Sequence, residues 1–129
     1  MRPSQVVVAA LIERGGRVLV SQRGQGVGHA GRWEFPGGKR EPGESDRQAL
    51  ARELREELSV DLEVGPQVWS TRAGPLVLRF FRCPWAPGLR PRPVGSVQFR
   101  WVRHEDLPGL DFPPADHALV RALADGRVP

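Results

Sequence analysis

Three glutamates, Glu53, Glu56 and Glu57, stand close together in a stretch with no glycine or proline, Ser45–Leu58. At 100° per residue on a helix they fall within about 100° of arc. Like charges at that spacing repel by a few tenths of a kcal/mol per pair on an exposed surface. Interleaved Arg52 and Arg55 offset this, or a divalent cation does. A cluster of carboxylate oxygens suits a hard ion such as Mg²⁺, Mn²⁺ or Ca²⁺ rather than zinc. Magnesium also favours a site completed by substrate phosphates. From spacing alone, a solvated acidic face with arginine partners accounts for the pattern as well. Neither Cys83 nor any Ser–His pair is placed as a protein nucleophile, and Cys83 reads as a small core residue.

The charge distribution adds to this. Lys+Arg number 19 against 15 Asp+Glu, a net +4, and Lys39 is the only lysine. No acid occurs between Glu63 and Glu105, whereas Arg72, Arg79, Arg82, Arg90, Arg92, Arg100 and Arg103 do. An acidic block followed by a basic block could hold metal with the first and a polyanion with the second. Taken singly, each arginine reads as a solvated surface side chain.

The elements that must position these residues follow from apolar patterning. With 129 residues, 40% of them apolar, the chain has the size and composition of one soluble domain, residues 1–129. A single cysteine excludes an internal disulfide framework and a multi-cysteine zinc site. No apolar run is long enough to span a bilayer, and the amino-terminal apolar run reads as a strand rather than a leader, so a cytoplasmic protein is expected. Val6–Ile12 suits a buried strand, and Arg14-Gly15-Gly16 turns it into a second over Arg17–Ser21. Gly24–Arg32 reads as a loop. Pro36-Gly37-Gly38 and Glu41-Pro42-Gly43 bracket another stretch expected to hold no regular element.

Ser45–Leu58 is the strongest helix: Ser45 and Gln48 have capping-box spacing, and Leu50, Leu54 and Leu58 form one apolar stripe about 110° from the glutamates. Strands are expected at Gln67–Thr71, Leu76–Cys83 and Val97–Arg103, a proline-rich loop at Pro84–Pro93, and a closing helix at Ala115–Ala124. The order argues an α+β class with a mixed sheet and helices on its faces.

Gly38, Glu44, Arg52, Glu53, Leu54, Glu56, Glu57 and Val60 fall in register with G-x5-E-x7-R-E-U-x-E-E-x-G-U, where U is bulky and aliphatic. The segment thus resembles the Nudix box; Ser59 replaces its second glycine. Gln22-Arg23, Trp33–Lys39 and Phe112–Asp116 extend the resemblance, from Val6 to Ala124, to the MutT-type nucleoside triphosphate pyrophosphohydrolases, near the branch of CTP and oxidised-nucleotide enzymes.

The resemblance implies a Nudix fold with a mixed sheet between helices (α/β/α). It implies a Mg²⁺ cofactor, with Mn²⁺ as substitute, on Glu53, Glu56, Glu57 and the Gly37 carbonyl. Glu44 and Arg52 support helix and loop; Arg23 and Lys39 contact the triphosphate. Asp116, Phe35 and Glu34 belong to the substrate pocket, with Leu78 and Phe80 as further walls. The implied reaction is hydrolysis of a nucleoside triphosphate such as 8-oxo-dGTP to monophosphate and pyrophosphate, or of a CTP-type pyrimidine nucleotide. A different diphosphate substrate, or a nucleotide-binding module without turnover, remains open. The expected partner is that small molecule, with no stable nucleic acid and no membrane, and the chain a monomer or weak dimer. One departure concerns the mechanism. Relatives carry a glutamate shortly before the Trp101 strand, where this chain has Gly95. For Asp116 a plain helix cap stands beside base reading. His29 and His117 read as surface or satisfied core residues, and Trp33, Trp69, Trp85 and Trp101 as packing, with Trp33 the best candidate for stacking.

Overall fold

The computed structural model describes residues 5–23, 31–92 and 98–129. His29, Gly95 and most of the expected Gly24–Arg32 loop lie outside them.

The apolar run at the start forms β1 (Gln5–Arg14), buried over most of its length. Its even residues Val6, Val8, Ala10 and Ile12 enter one core and Ala9 and Leu11 another, which explains why the run does not alternate with polar residues. β2 (Arg17–Gln22) returns antiparallel through Gly15-Gly16, both with positive φ as the tight hairpin requires. β6 (Leu76–Pro84) lies parallel to β1 on its other side, and β5 (Gln67–Ala73) pairs antiparallel with β6. β7 (Gln98–Arg103) pairs antiparallel with β2.

The Pro36–Gly43 region departs from expectation. β3 (Trp33–Glu34) pairs with β2, and Gly37–Lys39 forms a short strand, β4, antiparallel to β1. Glycine chemistry permits this: a Cβ on Gly37 would collide with the Val8 carbonyl oxygen, and one on Gly38 with the Glu53 carboxylate. The glycines that read as loop markers are there for close backbone approach.

α1 (Asp46–Leu58) covers one face of the sheet. Ser45 caps it through the reciprocal bonds of a capping box, and Ala49, Leu50, Leu54 and Leu58 are buried against the even side of β1. Truncating Leu54, fully buried, to alanine removes about 2–5 kcal/mol. The other face is covered by a 3₁₀ segment, His104–Gly109, which the sequence pattern does not announce, and by α2 (His117–Ala124), entered through a 3₁₀ turn at Pro114–Asp116. Leu107, Leu119, Val120 and Leu123 fill that second core with Phe35, Phe80 and Phe112. The layers are helix, mixed sheet, helix, as expected, and Cys83 is a core residue.

Ser59 closes α1 in the left-handed region, at φ 56°, and its N–H donates to the Arg55 carbonyl. Among the described residues it is the only non-glycine with positive φ. Serine keeps the glycine-type closure at a cost of about 1 kcal/mol, partly returned because glycine loosens the unfolded chain more. Ser59→Gly is therefore expected to stabilise the fold by about 0.5 kcal/mol, read as a small rise in thermal midpoint.

Candidate active site

A cleft of about 390 Å³ opens where β1, β4, β6 and the turn before α2 meet. Val7, Phe35, Leu78 and Phe80 supply apolar wall. Phe35 is fixed by stacking on Phe112 at 5.1 Å and by an edge contact with Phe80 at 5.8 Å. Arg23, Glu34, Gly37, Lys39, Glu57 and Asp116 add polar groups to the same lining. Seven positions singled out in the sequence, Arg23, Glu34, Phe35, Gly37, Lys39, Glu57 and Asp116, thus converge, although Arg23 and Asp116 lie nearly a hundred positions apart.

Arg52 organises the acidic helix. Its Nε and Nη2 donate to the two Glu44 carboxylate oxygens at 2.8 and 3.0 Å. Nη1 reaches Glu53 at 3.0 Å and Glu56 at 3.2 Å, and Nη2 also donates to the Lys39 carbonyl at 3.1 Å. Glu44 in turn accepts from the Glu41 N–H. The Arg52 hydrogen bond, then that backbone bond, hold the Glu44 carboxyl down at about 2.

The three glutamates differ in surroundings. Glu56 is exposed and Glu53 largely buried. Burial raises the Glu53 pKa despite Arg52. Glu57 is pushed up to about 8 by burial, opposed by one bond from the Gly37 N–H at 3.3 Å and reinforced by Glu53 and Glu34 nearby. Among the described residues no three His, Cys, Asp or Glu side chains are drawn together tightly enough to enclose a metal ion. The donor set still fits a hard cation. Two carboxylates that burial drives towards the neutral form, one with a single long hydrogen bond, are groups that positive charge would stabilise, and all the ligand atoms are oxygen.

Asp116 does not cap α2: its side chain makes no cap hydrogen bond, and it is only 6% exposed, lining the cleft. Burial, then the Glu34 charge, raise its pKa to about 6. Glu34 sits 3.4 Å from the Arg23 guanidinium. His117 turns away from the cleft, its Nε2 2.9 Å from the Phe112 carbonyl, and is a satisfied histidine. Trp33 is a buried packing residue with Arg100 over its ring at 5.0 Å. Sequence reasoning missed the apolar contributions of Val7 and Leu76 to the cleft. Both lie in strand patterns that look like ordinary core, and only the pairing of β1 with β6 places them at the opening.

The NUDIX domain model matches residues 1–123. A Mycobacterium tuberculosis (strain CDC 1551 / Oshkosh) protein named "Putative 8-oxo-dGTP diphosphatase 2" is 44% identical over 126 residues, spanning 94% of this chain and 89% of its own. The CTP pyrophosphohydrolase of Escherichia coli K12 is 59% identical over 64 residues, half of this chain and 47% of its own length. Among solved structures, MutT from a study of the Aliivibrio salmonicida and Vibrio cholerae proteins superposes with a TM-score of 0.82 at 29% identity, covering 95% of this chain and 98% of that one. With the box in register on a capped helix, the same layered fold and this cleft beside it, the chain belongs to the Nudix family and is a Nudix hydrolase.

Proposed function

We propose that this hydrolase cleaves nucleoside triphosphates to the monophosphate and pyrophosphate, with oxidised purines such as 8-oxo-dGTP as the preferred class, and so sanitises the nucleotide pool. The carrying observation is the cleft, whose lining combines the buried Asp116 carboxyl, which makes no helix-cap bond, with the Gly37–Lys39 strand and Glu57. A base fits the apolar end between Phe35 and Leu78, and the phosphate chain runs towards Lys39 and Arg23, whose cationic donors suit phosphate oxygens. Mg²⁺ is the proposed cofactor, Mn²⁺ its substitute, on Glu53, Glu56, Glu57 and the Gly37 carbonyl. Bound there, the ion supplies charge neutralisation of the phosphates and a more acidic water.

The chain's own residues do the rest. A water loses its proton to Glu53, which burial makes a stronger base than an ordinary carboxylate. Water oxygen bonds to phosphorus as the bridging P–O bond breaks, and pyrophosphate leaves. Arg52 and Glu44 act through position, keeping Glu53 and Glu56 on one side of the helix and α1 against the Lys39 carbonyl. With no acid at Gly95, this reading assigns the base to Glu53 alone.

A pyrimidine substrate of CTP or 5-methyl-dCTP type is the second reading, favoured by the 59% identity to a CTP pyrophosphohydrolase over half the chain. The neutral form of Asp116 offers one donor and one acceptor, which matches the N7–H/O6 edge of 8-oxoguanine and the N4–H/N3 edge of cytosine alike.

A panel of 8-oxo-dGTP, CTP, 5-methyl-dCTP and the ordinary dNTPs, assayed for monophosphate plus pyrophosphate, is expected to rank 8-oxo-dGTP first. CTP ranked first would install the second reading, and no pyrophosphate from any of them would overturn both. EDTA should abolish turnover; Glu53→Gln should reduce kcat by at least about 100-fold, the range of a lost general base, and Glu56→Gln should reduce it by about 10- to 100-fold through weakened metal binding. Full rates in those variants would remove the assigned site.

Asp116 makes a separate pH prediction. Its folded pKa, about 6, lies above the ordinary 3.8, so the fold favours the protonated form. That contribution is complete below pH about 4 and is lost as pH rises through 6, about 3 kcal/mol by pH 8. Asp116→Asn is expected to raise the thermal midpoint by several degrees at pH 8 and to leave it unchanged near pH 4. It should also flatten the rise in KM between pH 5 and 8. A midpoint difference independent of pH would contradict the assignment.

A further inference from the structure

Far from the cleft, strand register lines up three arginines. Arg14 of β1 stands opposite Arg17 of β2, and Arg17 opposite Arg103 of β7. Residues in register share a sheet face, and like charges so placed weaken the pairing that carries them. Arg103 leans on Glu105 at 3.1 Å, whereas Arg14 and Arg17 have no carboxylate partner among the described residues. Glu13, their closest acid in sequence, points to the opposite face, where Arg82 at 2.7 Å and His104 at 2.9 Å hold it.

The next rung inward carries Trp101, opposite Leu19. It is only partly buried, the Arg14 guanidinium lies 5.9 Å above its ring, and Trp85 meets it edge to face at 5.3 Å. Arg14, Gly15, Arg17 and Trp101 line an open cavity of about 360 Å³. This end of β1 is seven residues, about 23 Å of strand, from Val7 in the cleft. No step of the hydrolysis uses it.

We propose that this surface docks single-stranded nucleic acid, with phosphates along the arginine row and an unpaired base against the Arg14–Trp101 pair. A row of three cations in which only Arg103 has a counter-charge is a polyanion site. A guanidinium laid on an indole is in addition a stacking platform, which an acidic protein or an anionic lipid would leave unused. A duplex hides its base faces from such a platform, so the unpaired strand is the occupant that uses both features.

Fluorescence anisotropy of labelled oligo-dT and oligo-U, measured in EDTA across a salt series, tests the assignment independently of catalysis. The wild-type chain is expected to bind both, and to bind oligo-dT about 10-fold more tightly than an abasic strand of equal length. Arg14→Gln/Arg17→Gln should weaken binding at least about 10-fold, with nucleotide hydrolysis unchanged. The log–log salt slope should fall by about 0.7 for each phosphate that is no longer neutralised. Trp101→Leu should lose the preference over the abasic strand, and Trp101→Phe should keep it. No binding, or binding indifferent to the two arginines, overturns the proposal. Equal affinity for heparin, duplex and abasic strands also overturns it, since that describes a bare polyelectrolyte patch, as does capture by phosphatidylserine vesicles without oligonucleotide binding.

Discussion

The guanidinium of Arg52 joins groups that would otherwise repel or drift. It is bidentate to Glu44, bonded to Glu53 and Glu56, and donates to the carbonyl of Lys39. Two glutamates one turn apart on α1 are thereby held at a distance at which their charges alone would push them apart. The same cation ties the helix to the loop before it, through Glu44, and to β4, through Lys39. A lysine could not replace it, because an ammonium lacks the planar fork that meets Glu44 bidentately while reaching two other carboxylates. Removing it would leave Glu53 both partly buried and unpaired, the expensive way to lose an ion pair.

The second constraint is how near β4 must come to β1 and α1. Gly37 lies where any side chain would strike the Val8 carbonyl, and Gly38 where one would strike the Glu53 carboxylate. Glu57 is buried because of this approach, and its hydrogen bond from the Gly37 N–H exists for the same reason. Glycine thus trades backbone entropy for a carboxylate held close against the strand. The sheet's central strand supports it from beneath, with apolar residues on both faces so that neither helix layer can slide without exposing core.

How much of this could be read beforehand depended on whether a feature is local. The capping box at Ser45, the leucine stripe and the continuous apolar β1 are set by neighbours within a few residues, and the sequence pattern places them well. The spacing of Glu53, Glu56 and Glu57 gave their arc on the helix, but not that one would be exposed and another buried. That difference is made by β4, a strand whose Pro-Gly-Gly context argued for a loop. Asp116 was legible as a position and ambiguous as a function; only the 3₁₀ turn at Pro114–Asp116 shows that its carboxyl faces the cleft rather than the α2 amides. The pairing of β1 with β6 is a contact between distant segments, so the cleft walls Val7 and Leu76 carried no local signal. Trp101 carried one that pointed elsewhere: Trp33 was the better stacking candidate by sequence, and it is the one buried beneath Arg100.

Asp116 and the arginine row present the same physical problem with opposite charge. A carboxyl buried beside Glu34, without a cap to make, costs stability at neutral pH. Three guanidiniums in adjacent register cost pairing energy at the end of the sheet. Each could be relieved by a single change, an asparagine at 116 or a glutamate at 17, without disturbing the cores. Folding alone gives no reason to keep either. Both defects sit at open cavities, one lined by aromatic rings and one by an indole under a guanidinium, where a ligand of complementary chemistry would repay the cost. On this argument the residues that serve the fold worst are the ones whose chemistry is directed outwards, at the two ends of β1.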